Sequence, residues 1–389
     1  MSASKHFSFD TLIDRRGSGS IKWDRRPDLD PFWIADMDFT SPPAVLEVLQ
    51  ERVQFGVFGY ANAHDGVTEA IVEYLEGRHQ AKVDPDSILH LGGLVSALSL
   101  AARMVGETGD ELITCTPVYP PFLEVAHDAG MKTVAVPHVR NDDGQWSFDW
   151  QGLEQAVTNR SKLFLLCNPQ NPLGRAFSTT EVTKIAEFCE RHDLVLVSDE
   201  IHCDLILDET DENPFATALR LPEALRSNLI TLQAPSKTYN IAGMGYAFAV
   251  IENDSLRRKF VKAKGHTTSE INCLAFYSAE AAYRHGEPWR QELLAYLRRN
   301  RDTLTSFVRA ELPQLIVTDI EATYLAWMDC EALGLSNPAV HLEKVGLWVS
   351  DGSYFGSPQC IRFNFGCPHA RVEEGLAKMR SGFLDLRRE

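Results

Sequence analysis

Five apolar runs in this chain each end in groups suited to chemistry. "NLITL" leads into "QAPSKTYNIAG", which sets Lys237 among a proline, small residues and a tyrosine. An ammonium at the end of a buried strand loses hydration and its pKa falls, and a lysine poised to become a neutral amine is a nucleophile. "LVLVS" ends at Asp199, a carboxylate that is costly there without a cationic partner. "KLFLL" runs into "CNPQNPLGR", whose prolines fix the loop and whose Asn171 can present an amide to a ligand oxygen. "ELITC" leads to "TPVYPP" and the ring of Tyr119. "SILHL" is followed by "GGLVSAL", where Gly93, Leu94 and Val95 open a helix whose first N–H groups can hold a phosphate.

Each feature alone has an ordinary explanation: a loop lysine, a helix cap, turn chemistry, a packing tyrosine, a tight turn. His202, three residues after Asp199, reads equally well as a satisfied core histidine. At five successive strand ends, however, the groups ask for one ligand with a phosphate, a flat ring, a phenolic oxygen, a ring nitrogen to keep protonated and an aldehyde for an amine. That description is pyridoxal phosphate.

The elements needed to bring these groups together are present. From about residue 43 to residue 280 short apolar runs alternate with helical patterns, which predicts an α/β domain with a mostly parallel sheet. Ligands bind beyond the carboxyl ends of such strands. After "HGEPW", Leu293, Leu294, Leu297, Leu304, Phe307 and Val308 recur at helical spacing, and strand-like "TYLAWMD" and "CIRFNFG" come next, which predicts a smaller α+β domain. We expect residues 1–45 to form an arm and part of the small domain, 46–284 the large cofactor-binding domain and 285–389 the C-terminal small domain.

Composition narrows the partners. At 389 residues, with 44% hydrophobic and 24% charged residues, the chain can bury a substantial core. A net charge of -16 with no basic block disfavours nucleic acid and anionic lipid. The first residues lack an apolar signal region and no stretch is long enough to span a bilayer, so a cytoplasmic protein is expected. The eight cysteines are scattered without metal-like spacing; His202 and Cys203 are adjacent, but strand neighbours face opposite ways, so no metal is expected.

The sequence resembles the fold-type I pyridoxal-phosphate enzymes of the class I/II aminotransferase group, and within it the MalY/PatB-like cystathionine β-lyases. The resemblance covers nearly the whole chain through "WIADMDFTSPP", "GYANAHDG", "CNPQNPLGR", "SDEIH", "APSKTYNIAG", "GEPWRQELLAYLRRNRD", "TYLAWMD" and "RFNFGCP". It implies that Lys237 binds the cofactor aldehyde covalently and then moves the substrate Cα proton. Asp199 would face the pyridine nitrogen, Asn171 the phenolic oxygen and Tyr119 the ring face, with His202 beside the cofactor. Gly93, Leu94, Val95 and Ser236 would hold the phosphate, joined by Tyr60 from the partner of a homodimer with shared sites. Arg362 would clamp the substrate carboxylate, a task suited to a planar guanidinium, and Asp36 would line the substrate side with Tyr60, Tyr119 and Asn171.

Two positions depart from the transaminases of the group, which often carry tyrosine three residues after the aspartate and arginine eight after the lysine. Here they are His202 and Gly245, as in the β-lyase branch. The family's common histidine is replaced by Gln170, and "GHTTSEINCLAF" differs from the usual segment, which leaves the substituent on sulfur open. The resemblance therefore implies a carbon-sulfur β-lyase acting on L-cystathionine or another L-cysteine S-conjugate, with an aminotransferase as the alternative. A non-catalytic binding protein would have no reason to keep Lys237, Asp199, Asn171 and Arg362.

Overall fold

The computed structural model describes residues 7–141, 145–210, 214–266 and 268–385. Its centre is a seven-stranded sheet in the order Ile88–Leu91, Ala247–Val250, Leu229–Gln233, Val195–Asp199, Ser161–Cys167, Glu111–Thr116, Lys132–Pro137. The last five strands in this order are mutually parallel, and Ala247–Val250 runs antiparallel to both its neighbours. Every residue of Val195–Asp199 and Leu229–Gln233 is buried, as expected of strands covered on both faces. Helices Leu94–Val105 and Thr179–Arg191 lie in separate apolar clusters that include alternate residues of these strands. The second begins with a reciprocal cap in which Ser178 accepts from the Glu181 N–H and the Glu181 carboxylate accepts from the Ser178 N–H.

A second sheet has five strands in the order Asp30–Phe32, Leu347–Asp351, Cys360–Asn364, Leu325–Asp329, Ile316–Val317. The 25-residue helix Glu287–Glu311 and helix His369–Asp385 pack beside it. The first strand pairs in parallel with Leu347–Asp351, so the chain's beginning enters this sheet. The Ala247–Val250, Leu347–Asp351 and Asp30–Phe32 strands were not foreseen. "AFAV" is four apolar residues without alternation, and Asp30–Phe32 is too short to have a period.

The two sheets meet across a loop. The Glu321 and Ala322 N–H groups both donate to Gly174 O at 2.9 Å, and the Thr323 N–H donates to Leu205 O at 2.8 Å. The segment before Leu325–Asp329 is thereby fastened to the loops that come after Cys167 and Asp199.

Candidate active site

Lys237 lies four residues past Gln233, in a turn that the chain enters at Pro235. Its Nζ donates to Ala35 O at 2.7 Å. The residue is partly open to the cleft yet densely surrounded by protein. That desolvation lowers its pKa to about 8, with Asp36 and Asp199 opposing and Arg362 assisting.

The loop that receives Lys237 is held through its carbonyls. Arg362 Nη2 and Ser350 Oγ donate to Trp33 O, Asn364 Nδ2 to Ile34 O and Asp36 O, and Asn240 Nδ2 to Met37 O and Phe39 O. Lys22 Nζ adds a bond to Asp36 O at 2.8 Å and an ion pair to the buried Asp38 at 2.7 Å. Arg15 bridges Asp36 and Asp38. One backbone segment thus carries the seats of both Lys237 and Arg362.

Asp199 ends its strand fully enclosed, its Oδ1 accepting from the Ile201 N–H at 3.1 Å. Burial raises its pKa to about 7, the Ile201 bond and Lys237 pulling the other way and Glu200 adding to the rise. Such a carboxylate is waiting for a cation. Glu200 points elsewhere, satisfied by Ser198, Thr217, Gln233 and the Ala218 N–H.

Arg362 is central on Cys360–Asn364, 4% exposed, with its guanidinium 4.7 Å from the Phe355 ring centre. Nη1 donates to Asn171 Oδ1 at 2.8 Å, while Nε is buried with no partner. Burial lowers its pKa to about 10, against Tyr119 and Tyr324, so it stays cationic near neutrality. Tyr119 is half-buried, and burial raises its pKa. His202 is buried, its Nδ1 unpaired; burial, then Lys237 and Arg362, lower its pKa to about 3, so the imidazole is neutral.

At the other end of the cleft Gly93 caps helix Leu94–Val105 at the end of Ile88–Leu91, and Leu94 is buried while Val95 is 41% exposed. Ser236 precedes Lys237 and is partly exposed. Gly245 has φ 65°, and a Cβ on it would lie 3.3 Å from Gly92 O, so this position suits glycine on both counts. Gln170 is structural: Nε2 donates to Pro117 O at 2.5 Å and Oε1 accepts from the Leu173 N–H.

Lys237, Asp199, His202, Asn171, Tyr119, Arg362 and Asp36 are drawn into one electrostatic and hydrogen-bonded neighbourhood. Tyr60 is not: it is fully exposed, beside exposed Val57 and Phe58. The strand geometry used to separate His202 from Cys203 is corrected, because residues 201–204 form a turn at which the chain leaves the sheet. Cys203 instead approaches His79 and Asp204, with ligand atoms within 4.8 Å of one another. Tyr74 already knits that group by bonds to His79 and Asp204, both at 2.8 Å, and Arg78 lies against Asp204. Sequence reasoning also missed Arg15, Lys22, Ser350 and Phe355, whose parts depend on pairings across more than a single element.

The groups fit a flat phosphorylated pyridine aldehyde. A neutralisable amine, a buried acid seeking a cation, an amide oriented by an arginine and a helix N-terminus at a strand end match its functional groups one by one. The unpaired His202 Nδ1 and Arg362 Nε mark places where bound groups would supply acceptors or donors.

The chain belongs to the aminotransferase class I and II family, whose pattern matches residues 34–379, and within it to the MalY/PatB-like group. Cystathionine beta-lyase PatB of Bacillus subtilis (strain 168) is 36% identical, over 96% of this chain and 99% of its own. Protein MalY of Escherichia coli (strain K12) is 31% identical, over 98% and 100%. Among solved structures, OvoB superposes with TM-score 0.93 at 38% identity, over 97% of this chain and 99% of that one. Cystalysin from Treponema denticola, which contains a pyridoxal 5'-phosphate cofactor, gives 0.93 at 30%, over 98% and 100%. The architecture is therefore fold-type I, a large, mostly parallel sheet with a smaller α+β unit.

Proposed function

We propose that this protein is a pyridoxal 5'-phosphate-dependent carbon-sulfur β-lyase that converts L-cystathionine or another L-cysteine S-conjugate, with water, into a thiol, pyruvate and ammonia. One observation carries the reading. Lys237, Asp199 and the Arg362–Asn171 pair converge on one cleft in a chain 36% identical to a cystathionine beta-lyase along its whole length.

The bound cofactor supplies an electron-withdrawing ring for the electrons left on the substrate Cα. The chain's residues do the rest. Asp199 would hold the ring nitrogen's proton by charge, Asn171, its Oδ1 fixed by Arg362, would offer Nδ2 to the phenolic oxygen, and Tyr119 would pack on the ring. Gly93, Leu94, Val95 and Ser236 would receive the phosphate. Arg362 seats the α-carboxylate, Asp36 lines the substrate side, and Lys237 takes the Cα proton. The Cβ–S bond would then break with its electron pair on sulfur, and the thiolate would take the proton that Lys237 holds and leave as the thiol.

The same reading gives a homodimer in which Tyr60 reaches the partner's phosphate site. It is supported by the exposed run Val53, Phe55, Val57, Phe58 and Tyr60, an apolar surface unusual for a monomer. A division near residues 45 and 285 is supported by the two sheets. A cytoplasmic location is supported by eight unpaired cysteines, seven of them buried. Among the described residues no helix is long and apolar enough to cross a membrane.

The test is an assay of the purified holoprotein with S-alkyl-L-cysteines. Thiol and pyruvate should appear in equal amounts without a 2-oxo acid. If turnover stops after one equivalent and resumes only when an oxo acid is added, the protein is an aminotransferase.

A further inference from the structure

Tyr324, in "TYLAWMD", stands one residue before the Leu325–Asp329 strand. The residue is 1% exposed, and its hydroxyl makes no hydrogen bond to any of the described residues. The hydroxyl is not sealed from solvent as the ring is, so an enclosed ring holds out an O–H that no protein group takes and that a ligand can accept from.

The fold works to keep the ring where it is. Thr323, the preceding residue, has φ 72°, a left-handed conformation that a β-branched residue rarely adopts. The conformation is held by the Thr323 N–H bond to Leu205 O and by the Leu325 N–H donating to Thr323 Oγ1 at 3.2 Å. On the other side, a Cβ on Gly366 would lie 3.0 Å from the Tyr324 ring and 2.8 Å from Met37 Cγ, so the glycine makes the room that the ring fills. Gly366 lies two residues past Asn364 and four past Arg362, and alternation along an extended chain puts these three on one face. His202 meets the ring edge-on, with centroids 6.1 Å apart. Tyr324 therefore lies between His202 and the Gly366 end of the segment that carries Arg362, whose charge it feels.

On this side of the cleft the Arg362 Nε–H is buried without an acceptor, and the Tyr324 O–H makes no hydrogen bond to the described residues. Arg362 Nη1 is engaged by Asn171, and Nη2 by Trp33 O and Ser350 Oγ. Burial, with Asp36 adding to it and Arg362 opposing, keeps the phenol protonated across the working pH range. A fixed O–H and a fixed N–H beside a cation match the two oxygens of a carboxylate.

We propose that Tyr324 is a substrate-binding residue whose hydroxyl donates to one oxygen of the substrate α-carboxylate while Arg362 Nε donates to the other. The assignment rests on the lyase reading for the ligand being an amino acid. It adds a second anchor, independent of charge, that discriminates α-amino acids from the corresponding amines.

Tyr324→Phe removes one oxygen and keeps the ring that Gly366 and His202 pack against. In the holoprotein, L-alanine binding, followed by titration of the cofactor absorption, should weaken roughly 10-fold or more, the range for a hydrogen bond to a charged group. Binding of ethylamine, which lacks the carboxylate, should be unchanged. For S-ethyl-L-cysteine the loss should fall in KM rather than kcat. Equal weakening for L-alanine and ethylamine, no weakening for L-alanine, or a kcat loss that grows with the basicity of the leaving thiol would each overturn the assignment. Thiol release by the unsubstituted protein is read separately: its absence would remove the lyase reading and leave the L-alanine comparison to decide the role of Tyr324.

Discussion

Arg362 Nη1 donates to Asn171 Oδ1 at 2.8 Å, joining side chains 191 positions apart. The bond assigns a function to each atom of the amide: the oxygen is used by the arginine, and Nδ2 is left to donate. It also means that the proposed carboxylate clamp and the amide proposed for the cofactor oxygen are one mechanical unit. Arg362→Ala should weaken amino-acid binding by roughly 2–5 kcal/mol, the scale for deleting one partner of a buried charge pair. The cofactor absorption band should persist, shifted because Asn171 is freed to turn. Loss of cofactor with unchanged substrate affinity would show that the clamp has been misplaced.

Asp199 supplies a prediction with a definite sign. Its folded pKa, about 7 without a cationic partner, lies above the ordinary value of 3.8. A raised carboxyl pKa contributes stability that is present below the unfolded value and lost as pH rises through the folded value. The cofactor-free protein should therefore lose part of its stability between about pH 4 and pH 7 through this group, and Asp199→Asn should lose less over that window. Thermal melts of both proteins at pH 5 and pH 7.5 make the comparison. A loss of melting temperature from pH 5 to pH 7.5 in Asp199→Asn as large as in the unsubstituted protein would contradict it. In the loaded enzyme the same substitution should lower kcat on the order of 10²-fold or more, since an aimed charge is removed from a closed site.

Lys237 has a direct chemical readout. With its pKa lowered to about 8, its amine is substantially neutral at pH values where surface lysines remain charged. In the cofactor-free protein, an amine-reactive reagent at pH 8 should modify Lys237 ahead of exposed residues such as Lys82, as mapped by peptide mass spectrometry. The rate should rise through pH 8 and level off above it. A Lys237 rate still climbing in parallel with Lys82 at pH 10 would mean that burial does not shift it as described.

Much of this site was legible because a parallel sheet gathers along one edge the residues just past the ends of its strands. Once "NLITL", "LVLVS" and "KLFLL" were read as buried strands of one mostly parallel sheet, Lys237, Asp199 and Asn171 were expected along one edge. The seats of those residues were not legible. Ala35 O and Trp33 O are backbone acceptors in a loop, and a carbonyl has no sequence signature. The same is true of Lys22 and Asp38, separated by 16 residues and joined only because the loop folds back. The Cys203 turn was misread for the related reason that an apolar run gives no sign of where its strand stops.

The role proposed for Tyr60 needs a site that a single chain does not complete. With the ring fully exposed and Lys237 in the cleft, each active site of the proposed homodimer would draw on both chains. Tyr60→Ala and Lys237→Ala should each be nearly inactive alone. Mixed and refolded together they should regain up to about a quarter of the activity, because a heterodimer assembles one intact site from its two unsubstituted residues. Full activity in a demonstrably monomeric state would rule the arrangement out.

The last prediction concerns the loop under Lys237. Asp38 is 5% exposed and accepts from Lys22 Nζ, Trp23 Nε1 and Arg15 Nη1. Burial pushes its pKa up, but Lys22, Trp23 and Arg15 outweigh that and hold it below the usual carboxylate range. Its contribution to stability is therefore present above the unfolded pKa and fades as pH falls through the folded one. Asp38→Asn keeps the shape but leaves the ammonium of Lys22, 1% exposed, without a counter-charge, and should cost roughly 3–5 kcal/mol at pH 7. Lys22→Met should cost less, because Asp38 keeps Arg15 and Trp23 as donors. The two variants separate a buried charge pair from simple packing: denaturant unfolding should rank Asp38→Asn below Lys22→Met, with the gap closing at low pH as Asp38 becomes protonated. Equal losses at pH 7 would mean that shape rather than charge holds this loop, and the seat of Lys237 on Ala35 O would then owe nothing to the ion pair behind it.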